Sequence, residues 1–261
     1  MKGASILLGV CGGIAAYKAV SLTSALIQSG ATVDVIMTRN ALRFVTALSF
    51  SALTRRPVYE TLWDNPDQIP HIRLVREADL VAVVPATANL LAKLAGGVAD
   101  DLLTTALLAA RVPVLLAPAM NSAMYDNAAT QENIRMLRER NYEFVEPERG
   151  YLAEGERGIG RLADEETLLA SITVTLERRR SLEGTRVVVT AGPTREAFDP
   201  VRYISNPSTG AMGIALANEA RARGAEVTLV LGPTLLPEPP GVTTVRVATA
   251  QEMYEAALVH A

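Results

Sequence analysis

The sequence predicts an α/β protein built on a doubly wound parallel sheet, followed by a partial second unit of the same kind. Three observations carry this reading. Short, continuous Val/Ile/Leu runs alternate with longer helical patterns, as buried parallel strands and their crossover helices require. Glycine or polar turns, such as Gly12-Gly13, Thr87 and Asn121, follow the carboxyl ends of several runs in the first part of the chain, where open α/β sheets place their ligands. The pattern restarts after residue 184 with a new apolar strand and a glycine turn.

The strand candidates are residues 5–10, 32–37, 80–84, 112–117 and 142–145. Each is too short for a globular helix, and all but the last are runs dominated by aliphatic residues. Helical spacing covers residues 14–29, 89–94, 102–110, 130–140 and 164–176. Right-handed crossovers between parallel strands follow by default. This first unit is expected to occupy residues 1–180. The second, residues 184–261, offers strands at 186–190, 226–231 and 242–247 and helices at 211–223 and 251–259. Three strands are thin for a doubly wound sheet, so this unit is expected to be an incomplete Rossmann-like domain.

Composition narrows the function. The chain has 261 residues, 49% hydrophobic and 20% charged, with a net charge of −3. That balance lacks the basic footprint of a nucleic-acid binder. A single cysteine, Cys11, precludes an internal disulfide, and two histidines far apart in sequence form no zinc pattern. The expectation is a reducing, cytoplasmic setting without a metal site. Apolar runs are strand-length, well short of a membrane span. The amino terminus passes straight into a strand-like run without a signal-cleavage pattern.

The richest stretch is Pro118-Ala119-Met120-Asn121-Ser122-Ala123-Met124-Tyr125, at the end of the 112–117 run. Asn121 can donate and accept hydrogen bonds without carrying charge, which suits gripping a carboxylate or amide. It also suits capping the next helix. Gly12-Gly13 after the first strand lets backbone approach a phosphate at a helix N-terminus. The turn does not match G-x-G-x-x-G, and the second strand ends in Thr38-Arg39, without the acidic residue expected for NAD. A mononucleotide fits better. Pro85-Ala86-Thr87-Ala88-Asn89 either lines a flat ring or phosphate or caps a helix. Gly96-Gly97 leads through Asp100-Asp101 toward Thr104 and suits a helix start. His71, after Pro70, falls on the first turn of a helix and is a general acid or base candidate. Residues 150–162, glycine-rich and charged, read as a flap or as a plain surface loop.

Taken in order, Gly12-Gly13-Ile14-Ala15-Ala16-Tyr17-Lys18, His71, Pro85-Ala86-Thr87-Ala88-Asn89 and Pro118–Tyr125 resemble the successive decarboxylase motifs of one family. These are the bifunctional flavoproteins of coenzyme A biosynthesis, which join phosphopantothenoylcysteine decarboxylase to phosphopantothenate–cysteine ligase. Residues 191–200 and 205–213 resemble the start of the ligase half, with Asn206 matching its asparagine. The resemblance implies an FMN-dependent decarboxylation of 4′-phosphopantothenoylcysteine to 4′-phosphopantetheine. The substrate's cysteine side chain is oxidised to a thioaldehyde, carbon dioxide leaves, and the resulting ene-thiolate is reduced.

By the same resemblance, His71 assists the oxidation and Asn121 holds the substrate carboxylate. Met124 and Arg161 join Asn121 in contacting substrate. Gly12, Gly13, Thr38 and Met120 are implied at the flavin. So are Pro85, Ala86, Thr87, Asn89 and Thr104. Sites shared between subunits of a homotrimer or higher oligomer are implied as well. The chain departs from the family pattern in three places. Glu154 stands where the flap often carries a proton-donating cysteine, so a carboxyl raised by burial would have to serve. Thr209-Gly210-Ala211-Met212 lacks the lysine of the common ligase motif. The lysine-rich nucleotide segment of the ligase lies beyond residue 261, so CTP and Mg belong only to a complete ligase half. Other readings are the ligase itself, a non-catalytic flavin-binding regulatory protein of the same fold, and a flavin prenyltransferase, against which Pro-x-Met-Asn-x-x-Met-Tyr argues.

Overall fold

A computed structural model describes residues 1–63, 69–151, 155–179 and 181–261. The chain divides into two compact units, Met1–Leu176 and Glu177–Ala261. No helix among the described residues is long and apolar enough to cross a membrane.

The first unit runs β1 (Ser5–Val10), α1 (Ala16–Gln28), β2 (Thr32–Met37), α2 (Ala47–Thr54), β3 (Val58–Tyr59), α3 (Pro70–Glu77), β4 (Leu80–Ala86) and α4 (Ala88–Gly96). It continues with α5 (Leu102–Ala109), β5 (Val114–Pro118), α6 (Ser122–Asp126), α7 (Ala128–Glu139), β6 (Glu143–Phe144), β7 (Glu148–Tyr151), β8 (Arg157–Arg161) and α8 (Glu165–Arg179). Six parallel strands form one sheet in the order β3-β2-β1-β4-β5-β6. The winding reverses at β1, which pairs Ile6 with Val33 of β2 on one side and with Leu80 of β4 on the other. Crossovers diverge there and open a crevice at the carboxyl ends of the strands.

Alternation along the strands feeds two cores. Ile6, Leu8 and Val10 face Leu22, Leu26 and Ile172 in one. Leu7, Val81 and Val83 face Leu91, Leu103 and Leu137 in the other. Each fully buried aliphatic side chain contributes about 1.5–3 kcal/mol. Covering both faces is what makes the strands apolar throughout rather than alternating.

The second unit contains β9 (Arg186–Ala191), β10 (Arg195–Ala197), β11 (Tyr203–Ser205), α9 (Ala211–Ala222), β12 (Glu226–Leu231), β13 (Thr243–Arg246) and α10 (Ala250–His260). Its parallel sheet has the order β13-β12-β9, and β10 and β11 pair as an antiparallel hairpin. The core is small, centred on Ala191, Ala217, Val227, Leu229 and Leu231.

Several elements differ from the sequence-based expectation. The third expected strand extends past residue 84 to Ala86, because Pro85 and Ala86 are buried and Ala86 pairs with Pro118 across a register shift. The first helix starts at Ala16 rather than at residue 14, leaving the glycine turn open. The two-residue strand β3 and the hairpins β7–β8 and β10–β11 carry too few apolar residues to show a period. The glycine-rich stretch at 150–162 thus holds an antiparallel pair, Glu148–Tyr151 against Arg157–Arg161.

Candidate functional site

A cavity of about 930 Å³ opens at the carboxyl ends of β1, β2, β4 and β5. That is the switch point of the sheet, and the volume lies in the upper range of ligand pockets. Its walls are the turns that follow the strands, so the fold brings together residues far apart in sequence.

Gly12 and Gly13 form the β1–α1 turn. A Cβ on Gly12 would lie 2.4 Å from Cβ of Asn40, so only glycine lets this turn rest on the one after β2. Space around Gly13 is open, with nothing within 4 Å of a built Cβ. No side chain caps the N-terminus of α1. The positive end of the helix dipole therefore stands at the cavity wall, which Ala15, Tyr17 and Lys18 line. Cys11 lines the same turn but is buried, and burial pushes its thiol up to about 12. It stays a neutral thiol at physiological pH, in keeping with a small packing residue.

Thr38 lines the cavity after β2, and its hydroxyl accepts from the Ala41 amide at 3.3 Å. After β4, Thr87 and Asn89 reach the wall. Thr87 caps α4 as well, its hydroxyl accepting from the Leu90 amide at 3.3 Å. Thr87 thus caps the helix and lines the cavity at once. Pro85 and Ala86 lie buried within β4 and do not line the cavity. Thr104 is also absent from the wall: it is fully buried and closes a capping box with Asp101 at the start of α5.

The turn after β5 supplies Met120, Asn121 and Met124. Asn121 is the N-cap of α6, its Oδ1 accepting from the Ala123 amide at 2.8 Å. The Met120 amide donates to the Gly160 carbonyl at 3.0 Å. Gly160 has φ of +128°, and a Cβ there would lie 2.2 Å from the Met120 carbonyl oxygen. Backbone of β8 therefore lies directly against the turn that carries Asn121, an approach that excludes any side chain. Arg161, the next residue, lines the cavity.

Three cations at the wall lack an ion pair among the described residues: Lys18, Arg39 and Arg161. Burial, and then the Arg161 charge, hold the Lys18 ammonium below its ordinary value of 10.5. Its Nζ donates only a long 3.4 Å bond to the Leu162 carbonyl. Lys93, by contrast, is bound by Asp100 at 2.6 Å and Asp101 at 3.4 Å, which raise its pKa. The sequence reading quoted Lys18 only within a motif and overlooked Lys93 and Asn40. Their signal was position: each lies within eight residues of the carboxyl end of a strand.

The remaining expected residues lie elsewhere. His71 sits on the first turn of α3, behind Pro70, and does not line the cavity of this single chain. Its Nδ1 is buried without a hydrogen-bond partner among the described residues. Asn206 belongs to the second unit, where its Oδ1 accepts from the Ser208 amide at 2.9 Å. Glu154 lies outside the described residues. No group of three His, Cys, Asp or Glu among the described residues is arranged to hold a metal ion.

With this geometry in place, comparison with known proteins identifies the lineage. A family model described as Flavoprotein matches residues 1–177. The chain belongs to the flavoprotein family. Residues 182–261 match a second model, the C-terminal domain of DNA/pantothenate metabolism flavoproteins. The coenzyme A biosynthesis bifunctional protein CoaBC of Bacillus subtilis is 51% identical over 263 residues, covering 99% of this chain and 65% of that protein. Its namesake from Vibrio parahaemolyticus is 48% identical, covering 100% of this chain and 66% of that protein. The chain thus spans about two thirds of the length of these relatives.

Among solved structures, a PPC decarboxylase mutant complexed with pantothenoylaminoethenethiol is 30% identical with a TM-score of 0.62. It covers 68% of this chain and 100% of that one. The FMN-dependent cysteine decarboxylase SpaF is 32% identical, with a TM-score of 0.60 over 67% of this chain and 97% of that one. The FMN-binding protein AtHal3 is 30% identical, with a TM-score of 0.58 over 66% of this chain and 96% of that one. All three likenesses cover about the length of the first unit.

Proposed function

We propose that the first unit binds FMN in the switch-point cavity and decarboxylates 4′-phosphopantothenoylcysteine to 4′-phosphopantetheine, in coenzyme A biosynthesis. The observation that carries the proposal is the Asn121 turn. A neutral carboxamide stands at the wall of a large cavity, fixed by its own helix cap and by Gly160. The relatives named for this pathway and the solved decarboxylases support the reading.

The residues fit a flavin mononucleotide. Gly12 and Gly13 give close access to backbone, and the uncapped N-terminus of α1 suits a phosphate. Thr38, Thr87, Asn89 and Met120 offer hydroxyl, amide and thioether contacts along the remaining wall. When bound, the flavin supplies the two-electron oxidation of the cysteine side chain and the later return of those electrons.

The protein's own part is binding and orientation. Asn121 holds the substrate carboxylate without the ion pair that would stabilise its charge. Loss of carbon dioxide discharges that group, so a neutral grip favours departure. Met124, beside it, and Arg161, on β8, complete the substrate wall. Lys18 and Arg161 place positive charge where an anionic substrate is received. His71 assists proton removal during oxidation. Because it lies away from the cavity of its own chain, it would serve a neighbouring copy within a homotrimer or larger assembly. Glu154 is the proton donor proposed for the final reduction.

The second unit is the beginning of a phosphopantothenate–cysteine ligase domain, with Asn206 at its site. It would use CTP and Mg only in a longer chain. The proposed setting is the cytoplasm.

Mass spectrometry of the purified, FMN-loaded chain with 4′-phosphopantothenoylcysteine tests the reading. Appearance of 4′-phosphopantetheine is expected. A product two hydrogens lighter would retain the decarboxylase but remove Glu154 as donor. Unchanged substrate with flavin bound would instead favour a regulatory flavin-binding protein. Asn121→Asp should set a like charge against the substrate carboxylate and lower turnover about 10²-fold or more with flavin retained. Normal turnover in that variant would remove Asn121 from its role.

A further inference from the structure

The short helix behind Asn121 points to a residue that no motif role assigns. α6 has only five residues, Ser122–Asp126. A helix of that length does not hold itself in water, so its orientation must come from tertiary contacts. Asn121 depends on that orientation, because its Oδ1 is tied to the Ala123 amide in the first turn. At the leading end, Gly160 fixes Met120. At the trailing end, Tyr125 does the holding. Its amide donates to the Asn121 carbonyl at 3.0 Å. Its phenol is buried, and the hydroxyl donates to Oε2 of Glu146 at 3.1 Å. Arg138 of α7 pairs with the other oxygen of that carboxylate and lies 5.2 Å from the centre of the Phe144 ring. Gln131 closes the arrangement by donating to the Tyr125 carbonyl at 2.6 Å.

We propose that Tyr125, hydrogen-bonded to Glu146, is a positioning residue that sets the substrate-facing direction of Asn121. The pair anchors α6 to α7 and to the sheet edge at β6. Removing the hydroxyl frees the C-terminal end of α6 while leaving the ring in its apolar seat. Small displacements of a gripping group carry large penalties in binding. Burial, and next to it the Glu146 carboxylate, raise the phenol's pKa, so it remains a neutral donor at physiological pH.

The inference rests on the decarboxylase reading of Asn121, and its test separates the two. In the FMN-loaded chain, Tyr125→Phe should raise KM for 4′-phosphopantothenoylcysteine about tenfold. Inhibition by 4′-phosphopantetheine, which lacks the carboxylate, should stay within about twofold of wild type. A general loosening of the fold would weaken both ligands alike, and that outcome overturns the proposal. Glu146→Ala should reproduce the KM change, and the double variant should be no worse than Tyr125→Phe alone. Additive effects, or wild-type KM in Tyr125→Phe, also overturn it. If Tyr125→Phe fails to fold, the exposed Glu146→Ala decides by the same ratio. If wild-type chain does not consume the substrate, the functional reading fails instead. Hydrogen exchange then still judges the clamp: faster exchange at the Ala123 and Tyr125 amides in Glu146→Ala supports it, and unchanged exchange overturns it.

Discussion

The two units begin alike and differ in what surrounds their first strand. In the first, β1 has a parallel partner on each side, and five of its six residues are buried. In the second, β9 pairs with β12 alone, and only Ala191 among its residues is buried. The consequence reaches the site. A switch point needs a strand with neighbours on both sides, so that successive crossovers part. Among the described residues the first strand of the first unit has both neighbours, with a large cavity above it; in the second unit the first strand, β9, lies at the sheet edge and only β12 has two neighbours. The helices follow the same division: α4 and α5 bury most of their apolar face, whereas α10 buries no residue.

The largest expected effect breaks the comparison at the cores. Leu91 in α4 and Leu229 in β12 are both fully buried. Either truncation to alanine should cost about 2–5 kcal/mol. A small unit has less burial in reserve, so the same loss should weigh more heavily on the second. Calorimetry of Leu229→Ala should show one transition lowered or lost and the first unit's retained. Leu91→Ala should lower the first unit's transition alone. A single transition that moves equally in both variants would mean that the units do not unfold separately.

Glycines in the first unit sharpen the comparison between scaffold and site. Gly160→Ala should cost about 3 kcal/mol, from positive φ and from collision with the Met120 carbonyl. Gly13→Ala, whose added methyl meets nothing within 4 Å, should leave thermal stability nearly unchanged. It should nevertheless weaken flavin retention, by filling space at the α1 N-terminus. Equal melting temperatures for Gly160→Ala and wild type would sink the account of the β8 contact.

How legible this was in the sequence depended on period and length. Strands such as Ser5–Val10 and Glu226–Leu231 announce themselves as continuous apolar runs, because burial on both faces leaves no polar position. The cavity wall at Gly12, Thr38, Thr87 and Asn121 was legible because each residue follows such a run. Pro85, Ala86 and Thr104 show the limit. Adjacent residues in one sequence motif fell partly into a buried strand and partly onto the wall. The Thr104 hydroxyl was claimed by Asp101, which a capping pattern foretells but a binding motif hides. Long-range contacts were illegible for another reason. Gly160 against Met120, and Tyr125 against Glu146, join separate elements and leave no local period.

The smallest effect separates the two capping boxes. In α5, Asp101 and Thr104 exchange backbone bonds beneath a helix already held by buried Leu102, Leu103, Ala106 and Leu107. In α10, Thr249 and Glu252 make the same exchange at the start of a helix without buried residues. Amides of Ala248 and Thr249 donate to the Glu252 carboxylate and hold its pKa below the ordinary 4.5. A carboxylate whose pKa is depressed on folding stabilises the fold above its unfolded value and loses that contribution as pH falls through the folded value. Lowering pH from 6 to 3 should therefore increase exchange of the first α10 amides, after correction for intrinsic rates, while α5 amides stay protected by packing. Glu252→Gln keeps an acceptor oxygen but cannot titrate, so its exchange should respond less to pH than that of wild type. An identical pH response in wild type and Glu252→Gln would show that fraying of α10 owes nothing to this carboxylate.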